Sequence, residues 1–146
     1  MKHSNNFLTS DQAEDAFYLA FQQRDIEMMM SVWSKDKNTS CIHPGGGRLD
    51  GLDTIHESWE QIFIHEQGIK FGIRKKRVFV EENIAIHNVI EEISINGELQ
   101  SEIIATNIYC KTENSWHMVL HHASPELHVP INQSHLEEVS EKQTMH

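Results

Sequence analysis

At Ile69 the apolar spacing of this chain switches from a helical to a strand period, and it keeps the strand period for most of the way to residue 123. Three long β-like segments, 69–80, 84–95 and 99–111, are followed by a fourth, 116–123. Glu81-Glu82-Asn83, Asn96-Gly97 and Thr112-Glu113-Asn114 separate them, and Asn-Gly between alternating runs is a strong hairpin signal. Side chains in a strand alternate between faces, so each segment presents two distinct surfaces. Four consecutive strands joined by short turns predict an antiparallel meander.

Upstream, the spacing is that of helices. Thr9 and Gln12 stand at capping-box spacing, and Ala13, Ala16, Phe17, Ala20 and Phe21 then fall on one helix face. Asp25 can cap a second helix, in which Ile26, Met29, Met30 and Trp33 repeat the pattern. A short β-prone run, 39–43, ends at Pro44-Gly45-Gly46-Gly47, which reads as a flexible turn. It lacks the GK[ST] and the strand–loop–helix context of a phosphate-binding loop. A third helix follows Gly51, with Ile55, Trp59, Ile62 and Phe63 on one face. Helices segregated from consecutive strands imply an α+β domain with a mostly antiparallel sheet. The segment from Glu126 onward is polar and predicts a tail that is mobile or docks on a partner.

Composition narrows the partners. A net charge of −10 over 146 residues argues against nucleic acid or an anionic membrane surface. The basic run from Lys70 to Arg77 sits in an acidic protein without the wider basic field that nucleic-acid binding needs, and reads as a solvated strand face whose lysines discourage edge pairing. No apolar run reaches 18 residues and the N-terminal stretch has no signal-peptide core, so a cytoplasmic location is expected. Cys41 and Cys110 form neither a disulfide framework nor a metal motif.

The 11 histidines are the compositional outlier. No HxH or HExxH spacing is present, so no metal or other cofactor is expected. A Zn site built from three histidines, or from two with Glu91, is the alternative. Neutral imidazoles near a pocket suit hydrogen bonding or general-base work. In the third strand segment Ile103, Ala105, Asn107 and Tyr109 alternate with an equally apolar set. That strand should be covered on both faces, and Asn107 then needs a partner or ligand. In the second, His87 and Glu91 share a face with Ala85, Val89 and Ile93.

Several segments resemble SnoaL-like proteins of the nuclear transport factor 2-like superfamily: FYLAFQQRDIEMMMSVWS (17–34), CIHPGG (41–46), GLDTIHESWEQIF (51–63), ATNIYC (105–110) and WHMVLHHASP (116–125). The resemblance covers about 9–125 and leaves 1–8 as an extension and 126–146 as a tail. It implies a cone, with three N-terminal helices packed in the concave face of a curved sheet, a deep pocket, and often a homodimer formed through the sheet. It also implies a small apolar or amphipathic organic ligand. Counting back from Ser124, His122 shares a face with Leu120, Met118 and Trp116, which assigns His122 to the pocket and His121 to the interface. His122 and His43 are the expected proton-transfer residues. Tyr18, Trp33, Trp59, Phe63, Glu91, Asn107, Tyr109 and Met118 are the expected pocket residues, with plain core packing the alternative for most of the aromatic and methionine stripe. No aspartate falls in a pocket-facing strand segment, which departs from the steroid-isomerase pattern. The resemblance leaves open an isomerase, cyclase or lyase working by acid–base catalysis, and a non-catalytic binding or association domain.

Overall fold

The computed structural model describes residues 6–66 and 68–127; the tail from residue 128 lies outside them. Helix α1, Ser10–Gln23, begins as its sequence dictates: Thr9 accepts a hydrogen bond from the Gln12 backbone N–H at 3.0 Å. The Gln12 side chain reaches back to the Leu8 N–H, at 2.9 Å. Arg24 ends the helix in the left-handed conformation. Asp25 immediately caps α2, Ile26–Val32, by accepting from the Met28 N–H. Helix α3, Leu52–His65, starts from Gly51 without a side-chain cap.

Six strands form one sheet: β1 Ser40–Ile42, β2 Arg48–Asp50, β3 Ile69–Val80, β4 Ile84–Ile95, β5 Glu98–Thr112 and β6 Ser115–Pro125. Their order across the sheet is β2-β1-β6-β5-β4-β3. The last four make the expected meander, joined at Asn96-Gly97 and at Glu113-Asn114 by two-residue turns with positive φ at both positions. The glycine-rich turn lets β2 fold back on β1 as a second antiparallel hairpin. Strand β1 runs parallel to β6, which makes the curved, unclosed sheet mixed.

The helices lie in the concavity. Phe17, Trp59 and Trp33 are wholly buried with Met29, Ile55, Val89, Tyr109 and Met118. Phe17 stacks edge-on against Trp59 with centroids 5.5 Å apart. Burying a large apolar side chain contributes about 1.5–3 kcal/mol. This aromatic cluster thus fixes the helices against the inner face.

Candidate functional site

A β-bulge decides which side chains enter the cone. Strand β5 pairs Tyr109 with Met118 but Ile108 with Leu120, so β6 carries one extra residue, Val119. Trp116 and Met118 face the core before the bulge; His121 and Ala123 face it afterwards. His121 is therefore 2% exposed inside, while His122 is exposed outside, where it pairs across the sheet with Thr106. The expectation that placed His122 in the pocket and His121 at the outer face is corrected: strict alternation breaks at Val119.

His121 lines a cavity of about 430 Å³ at the open end of the cone. Its walls are Phe21, Ile62, Ile69, Ile93 and Ala123, and its polar surface includes His43, Glu91 and, toward the rim, Gln100 and Ser101. Glu91 arrives from β4 and is 3% exposed. Behind these groups runs a buried network. Tyr18 donates its hydroxyl hydrogen to Glu91 Oε2 at 2.5 Å, and Asn107 Nδ2 donates to the Tyr18 oxygen at 3.0 Å and to Glu14 Oε2 at 3.2 Å. Tyr109 also donates to Glu14 Oε2, at 3.2 Å.

The network determines which imidazole nitrogens carry protons. With both Asn107 amide hydrogens committed, its Oδ1 accepts from His121 Nδ1 at 2.6 Å. His121 Nε2 is then the lone-pair nitrogen. Ser58 donates to the Ile55 carbonyl at 2.7 Å, so its oxygen accepts from His43 Nε2 at 3.0 Å and leaves His43 Nδ1 unprotonated. Burial, with His43 and His122 nearby, pushes the His121 pKa down to about 3; burial lowers that of His43 as well. Both rings are neutral acceptors near pH 7.

Glu91 moves the other way. Desolvation lifts it to about 7; the Tyr18 hydrogen bond opposes the rise and the Glu14 charge adds to it. Glu14 is equally buried, but contact with His87 and with Lys76 overcomes its desolvation and holds it below the ordinary carboxyl range. Two buried carboxyl groups in one network thus have opposite protonation preferences, a pattern typical of acid–base sites.

The remaining expected residues divide by depth. His43 and Glu91 line the cavity, with Tyr18 and Asn107 directly behind them. Trp33 and Met118 do not reach the cavity: both are fully buried and bridged to each other in the core. Trp59 is a wholly buried support, its ring 4.8 Å from that of His43. Phe63 packs against Trp59, and Tyr109 serves Glu14. The expected alternative of a metal held by several histidines, or by two with Glu91, is not assembled among the described residues. Glu14 was missed, although it precedes Tyr18 by four residues and so shares its helix face. Lys76 is exposed, as expected of a solvated strand face, but beside a bulge between Arg74 and Arg77 its ammonium lies 3.0 Å from Glu14 Oε1.

Three helices packed against a curved, unclosed mixed sheet place the chain in the class of nuclear transport factor 2-like, cystatin-like folds. The SnoaL-like domain pattern matches residues 11–128, and the chain belongs to that family. It is similar to a candidate calcium/calmodulin-dependent protein kinase type II association domain from Thiobacillus denitrificans, with 35% identity and a TM-score of 0.80. That match covers 84% of this chain and 98% of the other. A candidate dehydratase of the NTF2-like family from Streptomyces avermitilis is 29% identical, with a TM-score of 0.74, over 81% and 94% of the two chains. F-box protein SKIP8 of Arabidopsis thaliana is 26% identical over 108 residues, 74% of this chain. The match takes in 46% of SKIP8, so the chain spans about half the length of that curated relative. No helix among the described residues is long and apolar enough to cross a membrane.

Proposed function

We propose that this chain is an acid–base catalyst, of the isomerase or lyase type, acting on a small organic molecule held in the cone. The observation that carries the reading is Glu91: a buried carboxyl lining the cavity, held by Tyr18, with a pKa of about 7. A group poised near the working pH both takes and returns a proton efficiently. As carboxylate it removes a proton from carbon next to a carbonyl; as acid it protonates a departing hydroxyl. His121 and His43, neutral and stripped of one hydrogen each, accept hydrogen bonds from substrate hydroxyls. The apolar walls limit water. Similarity to the candidate dehydratase favours the lyase branch.

The test is proton exchange. A panel of small cyclic ketones, enones and β-hydroxyketones incubated in D₂O should show enzyme-dependent deuterium incorporation or loss of water by NMR. Glu91→Gln should reduce either rate at least 100-fold, within the usual range for a general acid–base group. Rates equal in wild type and Glu91→Gln would refute the assignment. A panel that is bound but never exchanged would favour the second reading, a non-catalytic association domain, which the 35% identity to the Thiobacillus protein supports.

We also propose that the chain dimerises through the outer sheet face. Phe79, Ile86, Ile108 and Leu120 form one cross-strand row there, and Phe79 is 56% exposed. Sedimentation velocity should give a dimer that Ile108→Asp converts to monomer. A monomeric wild type at micromolar concentration would refute it.

A further inference from the structure

Beside α1, apart from the cavity, three side chains with metal-ligating atoms converge. Asp11 and Glu14 are one turn apart on the helix, and His87 faces them from β4; one ligand atom from each lies within 4.8 Å of the others. His87 is completely buried, and its Nε2 is 2.8 Å from Ser10 Oγ. Its Nδ1 is 3.0 Å from Glu14 Oε2 and 3.9 Å from Asp11 Oδ1, yet makes no hydrogen bond: the first contact is off the ring N–H axis and the second is too long. In the tautomer that gives Nε2–H to Ser10, Nδ1 is free to bind a cation beside the Glu14 carboxylate. The off-axis geometry of this contact suits a hydrogen bond poorly. It suits a coordinated cation. Ligands bound at about 2.0–2.2 Å stand roughly 3.0–3.5 Å apart at adjacent corners of the coordination shell. The Ser10 contact supplies the support that orients a ligating imidazole.

The carboxylates already hold one cation. Lys76, next to the β3 bulge, contacts Asp11 and lies 3.0 Å from Glu14 Oε1. A surface groove lined by Glu14, Tyr18, Arg74 and Lys76 gives a path from solvent. We propose that Asp11, Glu14 and His87 form a binding site for a divalent transition metal, which displaces the Lys76 ammonium when it binds. One imidazole with two carboxylates suits Zn²⁺, Co²⁺, Mn²⁺ or Fe²⁺ better than Ca²⁺ or Mg²⁺.

The experiment titrates the full chain with Co²⁺, followed by visible absorption, with Zn²⁺ stoichiometry measured after dialysis. Lys76→Met should bind one equivalent at least tenfold more tightly than wild type. Asp11→Asn, at an exposed position, should weaken binding at least tenfold, and His87→Gln should do the same. Circular dichroism checks that each variant is folded. Absence of saturable binding to Lys76→Met would overturn the proposal. So would binding that Asp11→Asn leaves unchanged, because the metal would then sit on other histidines of the chain.

Discussion

Replacing Glu91 with Gln should make the protein more stable at alkaline pH while leaving it nearly unchanged in acid. The amide is close in shape, still accepts from the Tyr18 hydroxyl, and cannot ionise. In wild type the carboxyl keeps its proton up to about pH 7 when folded, against an ordinary value of 4.5 when unfolded. Its folded-state pKa is raised, so its contribution to stability is fully present below pH 4.5 and is lost as pH rises through 7. Each pH unit of displacement corresponds to about 1.36 kcal/mol, which puts the complete loss at about 3 kcal/mol. Between pH 5 and pH 8.5 wild type should lose about 2.5 kcal/mol that Glu91→Gln retains. In thermal unfolding this is a gap of roughly 10 °C opening across that interval. Urea titrations at half-unit pH steps, followed by tryptophan fluorescence from Trp33, Trp59 and Trp116, measure it directly. Groups that titrate identically in both proteins cancel in the comparison. Parallel pH profiles would mean that the carboxyl ionises normally inside the cone, and would remove the basis for treating it as a proton carrier at neutral pH.

The two adjacent histidines should separate cleanly. His122→Ala should change stability by less than about 0.5 kcal/mol, as for other exposed positions, whereas His121→Ala should cost roughly 2–4 kcal/mol by opening a void and leaving Asn107 Oδ1 unpaired. The His121 pKa is depressed to about 3 from 6.5, so its stabilising contribution exists above 6.5 and is lost as pH falls. By pH 5 that loss is about 2 kcal/mol, and His121→Gln should flatten the acid limb of the urea profile accordingly. Deleting Val119 removes the bulge and turns His121 outward; the variant should lose the dispersed amide NMR spectrum of the native fold. A native-like spectrum would show that the bulge does not set the inner face.

The architecture was legible because it rests on periodicity and turn chemistry, both local. Thr9, Asp25, Asn96-Gly97 and the change of period at Ile69 each specify their own neighbourhood, and their order suffices for an α+β cone. The meander boundaries at 69–80 and 84–95 follow directly, because a strand with one buried face cannot slip by one residue without exposing its core. Glu91 and Asn107 could be picked out for the same reason: a polar residue in the apolar half of an alternating strand must be bonded or functional. Strand β2 could not, since Arg48–Asp50 has no apolar rhythm and exists only because β1 is there to pair with it.

The errors fall where alternation fails. A bulge inserts one residue without any compositional mark, and from that point every parity count along the strand is reversed. The bulge at Val119 exchanged His121 for His122, and the irregularity near Lys75, whose φ is +51°, turned Lys76 toward Glu14. Both displaced residues belong to ionisable clusters: one touches the cavity, the other the carboxylates beside α1. A regular strand would send His121 and Lys76 to water, where imidazole and ammonium are well solvated. Each instead follows a local distortion: His121 is carried inside, where Asn107 offsets the cost of its desolvation, and Lys76, still exposed, is aimed at the buried Glu14. In this cone the departures from alternation re-aim ionisable side chains, a neutral imidazole into the core and an exposed ammonium toward a buried carboxylate, so reading faces by simple counting fails first at the residues of greatest chemical interest.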